Sequence, residues 1–230
     1  MNIIFYNILV AIVGLAMSPF IVALIERYSK EEKIFTKDFM KDVKFDLKVA
    51  LFVPLSFIAI LYYYGLGFNF VLYSFVAIIL IISFFVDLKA QIIPNETNLI
   101  GFLVGISLTY YYLTQNFSLG MDRLLGMIAG GGIFLLIALF SLLVYRKVGM
   151  GMGDVKLMAV LGLFFGFANI VQVFVFSFFI GAIISIFLLI TKIKKSDDYI
   201  PFGPFIVIAS FITMFLPATT TIQWALMNLV

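Results

Sequence analysis

Long apolar blocks separated by short polar segments run through the whole chain. Most are close to the length, about 20 residues, that a helix needs to cross a membrane. Lipid offers the backbone no hydrogen-bond partner, so the blocks predict helices rather than open strands. The pattern predicts an all-α, polytopic membrane bundle of about eight transmembrane helices in a single domain, 1–230. The predicted spans are 3–25, 49–64, 70–86, 99–114, 123–144, 155–167, 170–191 and a last span that starts near 201.

Prolines and short lengths mark the least regular of these spans. Pro19 is expected to kink the first span, and 155–167 is short for a crossing. Pro217 interrupts the last apolar stretch, so the sequence leaves the path of 217–230 open. The first apolar run has no basic segment before it, and we expect a retained span rather than a cleaved signal.

The longest polar segment, 26–48, holds seven Lys/Arg and six Asp/Glu. Its lysines and aspartates recur at helical spacing, which predicts an amphipathic helix near the headgroups in its second half. The loops 26–48, 87–98, 145–156 and 192–200 together carry 14 of the 15 Lys/Arg, and only Arg123 falls on the other side. The positive-inside rule therefore places these loops in the cytoplasm and both termini outside it.

Composition excludes several classes of protein. The chain is 64% hydrophobic and 12% charged, with a mean hydropathy of +1.19. An ordinary soluble domain carries about 25% charged residues. The chain has no cysteine and no histidine, which excludes disulfides, cysteine-bound zinc and every mechanism that needs an imidazole. We predict no metal site, and the net charge of +3 is too small to indicate nucleic-acid binding.

Two acids lie where the predicted spans meet the cytoplasm. Asp154 follows the glycine-rich turn 149–153, and Asp87 ends the third span, so the topology puts both at one depth. Two neighbouring carboxylates tend to share one proton. The ionised member then activates a water molecule while the protonated member donates a hydrogen bond to a carbonyl. This chemistry needs no histidine, cysteine or metal.

Other readings of the same acids stay open at this point. Each acid is compatible with a structural role, paired with Lys89 or Lys156 or capping a helix. The pair is also compatible with a proton or cation relay in a small transporter. Spacing alone does not separate these alternatives.

Three motifs, the first of them in two parts, resemble the type IV prepilin peptidase family, which belongs to the GxGD class of intramembrane aspartyl proteases. They are the segments 87–89 (Asp-Leu-Lys), 93–95 (Ile-Pro-Asn), 151–157 (Gly-Met-Gly-Asp-Val-Lys-Leu) and 200–205 (Ile-Pro-Phe-Gly-Pro-Phe). They occur in the order of the family and fall at predicted cytoplasmic boundaries. The resemblance covers the chain from about residue 84 onward.

The resemblance implies that Asp87 and Asp154 are the catalytic pair of a peptidase in the cytoplasmic membrane. Its substrates would be type IV pilin or pseudopilin precursors, cut on the cytoplasmic side after a short basic leader. The bilayer would hold both enzyme and substrate helix, and proteolysis would need no cofactor. Positions implied to bind substrate or to shape the site are Gly151, Gly153, Lys89, Lys156, Pro94, Asn95, Pro201, Gly203 and Pro204.

One departure from the family concerns the cytoplasmic loop. Many members carry a domain with two CxxC pairs there and also N-methylate the new N-terminus with S-adenosylmethionine. The loop 26–48 has no cysteine, so it excludes a zinc-stapled domain. S-adenosylmethionine is implied only if methyl transfer is retained. A transporter using the same acids is the rival class, and a pilin-binding chaperone is a third.

Three GxxxG pairs predict close packing between helices, at 101/105, 126/130 and 162/166. We expect these glycines to pack helices within the bundle rather than to form a dimer interface. The oligomeric state is not predicted.

Overall fold

The computed structural model describes residues 3–34, 36, 38–146, 149–195, 200–221 and 223. Over these residues the chain forms eight α-helices, a short 3-10 helix and a helical turn at 218–221, and no strand. The eight helices follow the predicted spans in order, and the all-α prediction is confirmed. They are α1 Ile3–Ser29, α2 Leu47–Tyr64, α3 Phe68–Ala90, α4 Asn95–Gln115, α5 Phe117–Tyr145, α6 Met152–Phe165, α7 Phe167–Ile190 and α8 Gly203–Phe215.

Five helices of the described residues are long and apolar enough to cross a membrane, namely α1, α2, α3, α5 and α7. The prediction of a multi-pass helical membrane protein is therefore confirmed. The other three differ for physical reasons. Polar side chains occupy the first turn of α4, and α8 is a shorter apolar helix. With 14 residues, α6 is about 21 Å long at about 1.5 Å per residue.

The chain divides into two compact units, Met1–Pro94 and Asn95–Val230. The single domain expected from the sequence remains a prediction. In the first unit α1, α2 and α3 pack against one another. Gly14 of α1 lies against Pro54 of α2, where an added Cβ would be 2.8 Å from the proline Cα. A glycine is needed at this crossing because any side chain would force the two helices apart.

A buried arginine organises the loop between α1 and α2. Arg27, in the last turn of α1, is only 3% exposed. Its Nε donates to Asp42 at 2.7 Å, and its Nη1 donates to the carbonyl of Lys33 at 2.7 Å and to the Thr36 hydroxyl. The guanidinium also lies 5.5 Å from the ring centre of Phe39. The loop is thus wrapped around one cation.

The amphipathic helix predicted for the second half of 26–48 is wrong. Between the end of α1 at Ser29 and the start of α2 at Leu47, the described residues contain only one helical stretch, the single 3-10 turn Phe39–Lys41. Because Arg27 binds the carboxylate of Asp42 and the backbone carbonyl of Lys33, the described loop residues fold around this side chain instead of forming a continuous helix. The next α-helix begins at Leu47, where the Asp46 carboxylate accepts hydrogen bonds from the N–H groups of Lys48 and Val49.

In the second unit, α5 and α6 are packed through glycines. A Cβ on Gly126 would lie 2.5 Å from the carbonyl oxygen of Gly162, closer than a carbon atom can approach. Gly130 lies against the backbone carbonyl of Met158 in the same way. On α4, Gly105 lies against Leu163 of α6. The prediction that these glycines pack helices within the bundle is confirmed for these contacts.

Two adjacent residues of α5 hold the helices that follow it. Arg123 donates hydrogen bonds to the carbonyls of Leu163 and Phe164 at the end of α6, both at 2.8 Å. Asp122 accepts from the N–H of Phe167 at the start of α7, at 3.2 Å. A cation at a helix C-terminus and an anion at a helix N-terminus both complement the helix dipole. The only basic residue predicted outside the cytoplasm therefore caps α6.

Polar side chains of α7 support the chain where α8 ends. Gln172 donates to the carbonyl of Leu216 at 2.6 Å, and Asn169 accepts from the N–H of Ala218 at 2.8 Å. Both groups sit at the Pro217 break. The residues 222 and 224–230, whose path the sequence left open, lie outside the described residues.

Candidate active site

Asp87 lies in the last turn of α3 and is 4% exposed. The helix ends directly behind it, because Gln91 adopts a left-handed conformation and its N–H bonds the carbonyl of Asp87. The C-terminal end of a helix carries a partial negative charge, so a carboxylate placed there is destabilising. Burial adds to that cost. The helix dipole and burial both make this position unfavourable for a negative charge.

Asp154 lies in the first turn of α6 and is 5% exposed. Here the helix dipole favours a negative charge, in contrast to Asp87. Its N–H donates to the carbonyl of Gly151, the N-cap residue, at 3.1 Å. The two predicted catalytic acids thus occupy opposite ends of their respective helices. One end opposes a negative charge and the other favours it.

Gly151 is required by its closeness to this acid and not by its backbone angles. Its φ of −67° and ψ of 139° suit any residue. An added Cβ, however, would lie 3.1 Å from Oδ2 of Asp154. A side chain at this position would therefore crowd the carboxylate. Gly153 lies inside the first turn of α6, beside the acid in sequence.

The two predicted lysines bind groups on other helices. Lys89 pairs with Glu26 at the end of α1, with 2.5 Å between Nζ and Oε1. Lys156 donates to Oδ1 of Asn95, the first residue of α4, at 2.7 Å. The structure thus brings together two predicted site residues, Lys156 and Asn95, that lie 61 positions apart. Pro94 is buried immediately before α4.

The remaining predicted positions, Pro201, Gly203 and Pro204, form the entry to α8. Gly203 and Pro204 are buried, and Pro204 lies in the first turn, where a proline costs no hydrogen bond. Between the prolines, Phe202 packs against Phe134 and Phe178, with ring centres 5.9 and 5.0 Å away. The motif is therefore fastened to α5 and α7 by its aromatic residue.

Several polar residues near these positions carry no prediction from the motifs. Thr97 and Asn98, in the first turn of α4, are each 4% exposed. Within the described part of the chain, the Thr97 hydroxyl and both amide atoms of Asn98 have no hydrogen-bond partner. A buried polar group without a partner costs about 1–3 kcal/mol. In the sequence, only the position of these two residues between Pro94 and the apolar part of α4 could have pointed to them.

Asp87 belongs to the first unit and Asp154 to the second, and each has been described within its own unit. Each unit thus supplies one buried carboxylate at a helix end. Carboxylates can take up and release protons, and they supply both the acid and the base of aspartic hydrolysis. That the two act as a pair remains a prediction.

Comparison with known proteins identifies the surroundings of these acids. Residues 74–186 match the type IV leader peptidase family. This segment contains Asp87, Asp154 and both lysines. The resemblance carried by the three motifs is therefore confirmed over this segment. No solved structure matches the chain.

Curated relatives named prepilin leader peptidase/N-methyltransferase cover the same region. The protein of Legionella pneumophila is 34% identical over 148 residues, which is 63% of this chain and 50% of that protein. The protein of Aeromonas hydrophila is 31% identical over 150 residues, 65% of this chain and 50% of the relative. The protein of Pseudomonas aeruginosa is 31% identical over 130 residues, 56% and 43% respectively. The chain spans about half the length of these relatives.

Proposed function

Because the chain is related to the type IV leader peptidase family through residues 74–186, we propose that it is an intramembrane aspartic endopeptidase. Its proposed substrates are type IV pilin or pseudopilin precursors, from which it removes a short basic leader. The observation that carries the proposal is the coincidence of the matched segment with two acids, Asp87 and Asp154, each buried at a helix end.

The proposed mechanism uses one water molecule and one shared proton. The ionised carboxylate takes a proton from water as the water oxygen attacks the scissile carbonyl. The protonated carboxylate donates a hydrogen bond to the carbonyl oxygen as negative charge develops there. The tetrahedral intermediate then collapses, the C–N bond breaks, and the departing amine receives a proton from the pair. The two acids titrate as a unit, so neither has a separate role.

We place the site at the cytoplasmic face of the cytoplasmic membrane. The loops that precede α4 and α6 belong to the set that holds 14 of the 15 Lys/Arg. A cut at that face would release the basic leader into the cytoplasm and leave the hydrophobic helix of the precursor in the bilayer. In the topology predicted from the Lys/Arg distribution, both chain termini would then lie outside the cytoplasm.

N-methylation is a second candidate activity, and it is favoured by the relatives' name, prepilin leader peptidase/N-methyltransferase. The loop 26–48 has no cysteine to hold zinc, and its described residues are folded around Arg27 instead. We therefore propose peptidase activity alone as the minimal function. S-adenosylmethionine would be needed only for methyl transfer.

The proposal is tested by incubating the purified protein in detergent with a pilin precursor, with and without S-adenosylmethionine. We expect cleavage at one bond in both conditions, measured by the mass of the new N-terminus. Methyl transfer would appear as one added methyl group only when the cofactor is present. An intact precursor, together with proton uptake by reconstituted vesicles, would instead support the transporter. Binding without cleavage would support the chaperone.

Lys89 is expected to act through Glu26. The Lys89→Ala variant should lower kcat/KM by no more than about fivefold, since half-exposed ion pairs contribute about 0–1 kcal/mol. Lys89→Glu should lower it further, because it places two carboxylates side by side. The double variant Lys89→Glu, Glu26→Lys should restore cleavage, because it rebuilds the pair with its charges exchanged. Failure of the exchange to restore activity would show that the lysine acts on the aspartates directly.

A further inference from the structure

A groove lies between the N-terminal halves of α4 and α6, wholly within the second unit. We call it the α4–α6 groove, lined by residues of Asn95–Phe102 on α4 and of Lys156–Val160 on α6. Its volume is about 500 Å³. One end is closed where Gly105 meets Leu163, and the other end is bridged by the Lys156–Asn95 hydrogen bond. The groove therefore lies between these two contacts, with the Lys156–Asn95 bond at the end where both helices begin.

The wall of the groove changes from apolar to polar along its length. Leu99 and Phe102 of α4 and Ala159 and Val160 of α6 form the apolar part. The mouth holds Asn95, Glu96 and Lys156, at the end that the charge distribution assigns to the headgroup region. A ligand that fits must have a hydrocarbon part and a polar end.

The dimensions favour a chain-like ligand over a helix. From Asn95 to Phe102 the helix rises about 10 Å, whereas a transmembrane helix is about 30 Å long and about 10 Å thick. A substrate helix would contact this groove over two turns at most. An acyl chain is thin and flexible, and it can follow a narrow gap between two packed helices.

The charges at the mouth favour a headgroup with both signs. Lys156 supplies an ammonium and Glu96 a carboxylate, and among the described residues the two form no ion pair with each other. A phosphate would complement the lysine, and a primary ammonium would donate hydrogen bonds to the glutamate. One helical turn deeper, Asn98 lines the groove with both amide atoms unpartnered in the described residues. Both amide atoms are buried as placed, and a change of side-chain rotamer would offer the amide N–H to the ester carbonyl of a glycerolipid.

We propose that the α4–α6 groove binds one zwitterionic phospholipid of the phosphatidylethanolamine class. One acyl chain occupies the apolar part, the phosphate lies at Lys156, the ammonium lies at Glu96, and Asn98 meets an ester group. The proposal does not depend on the proposed cleavage, because it rests on the groove alone and is tested by bound lipid.

The test is native mass spectrometry of the protein released from nanodiscs that contain equal amounts of phosphatidylethanolamine, phosphatidylcholine and phosphatidylglycerol. We expect one retained phosphatidylethanolamine, favoured about tenfold over the other two, the size of effect of one hydrogen bond to a charged group. Choline lacks N–H donors, and phosphatidylglycerol lacks the cation. Glu96→Gln should remove the discrimination against phosphatidylglycerol.

A matched pair of tryptophan variants locates the lipid. Leu99→Trp fills the groove and should abolish retention, whereas Ile100→Trp, at the next and similarly exposed residue outside the groove, should leave it unchanged. Retained lipid in the proportions of the bilayer, or retention that survives Leu99→Trp, would overturn the proposal. Two other results would also overturn it: a dimer that retains no lipid and dissociates in Leu99→Trp, or a precursor helix whose binding is lost in Leu99→Trp. Either result would assign the groove to another occupant.

Discussion

Leader cleavage is expected to fall at least about a thousandfold when Asp87 or Asp154 is replaced by asparagine. Acid–base groups contribute about 10²–10⁴-fold to rates. Loss of either acid also removes the proton that the pair shares. Asparagine keeps the shape of the side chain, so the change is chemical. The measurement is kcat/KM on a pilin precursor, and intact cleavage in either variant would contradict the mechanism.

Stability should respond differently in these two variants. Asp87→Asn removes a carboxyl group from a helix C-terminus, where the dipole disfavours a negative charge, so we expect no loss of Tm from the dipole. Asp154→Asn removes a charge that the start of α6 favours, at a cost of about 0.3–1 kcal/mol. The control is Asp122→Asn, whose amide oxygen can still accept from the N–H of Phe167, and it should cleave normally.

The second large effect is expected at the contact between α5 and α6. Gly162→Leu should destabilise the protein by about 3 kcal/mol or more, the upper range for an overpacked core. The added Cβ would collide with the backbone carbonyl of Gly126. Because α6 carries Asp154, the displaced helix should also lose cleavage activity. Thermal unfolding in detergent and kcat/KM measure the two effects.

Gly132→Leu is the matched control for this substitution. Gly132 lies on α5 two residues beyond Gly130, and a Cβ there would meet no described atom within 4 Å. We expect it to unfold within about 1 kcal/mol of the unchanged protein, the helix-propensity difference between glycine and leucine. If both leucine variants unfolded at the same temperature, the glycine contact would not hold the helices together.

The helices were predictable because lipid offers the backbone no hydrogen-bond partner, so every span must be a helix of apolar residues. The pattern failed at ends where a polar residue belongs to the helix. The fifth span was predicted to start at 123, yet α5 starts at Phe117, capped by the side chain of Asn116. Asp122 and Arg123 resembled a boundary, but they lie inside the helix because the ends of α6 and α7 neutralise them.

Residue type and predicted depth pointed to Asp87 and Asp154, and both are buried at helix ends, while their action as a catalytic pair stays a prediction. The side-chain partners of the predicted site residues were not predictable where they come from another helix. Lys89 was expected beside the acids, and its partner is Glu26, 63 positions away. The helix predicted in the second half of 26–48 is absent for the same reason. The spacing of charged residues along the loop gives no sign that Arg27 will be buried and bound by other parts of the loop. Pairing of this kind depends on tertiary structure.

The shortness of α6 bears on how the protein meets membranes of different thickness. At about 21 Å it falls short of a hydrocarbon layer of about 30 Å, so hydrophobic matching cannot set its height. Arg123 holds its far end, and the glycines of α5 hold its side. The depth of Asp154 is therefore set by protein contacts. A thinner or thicker bilayer would tilt the longer helices around it, while the acid keeps its height relative to α5.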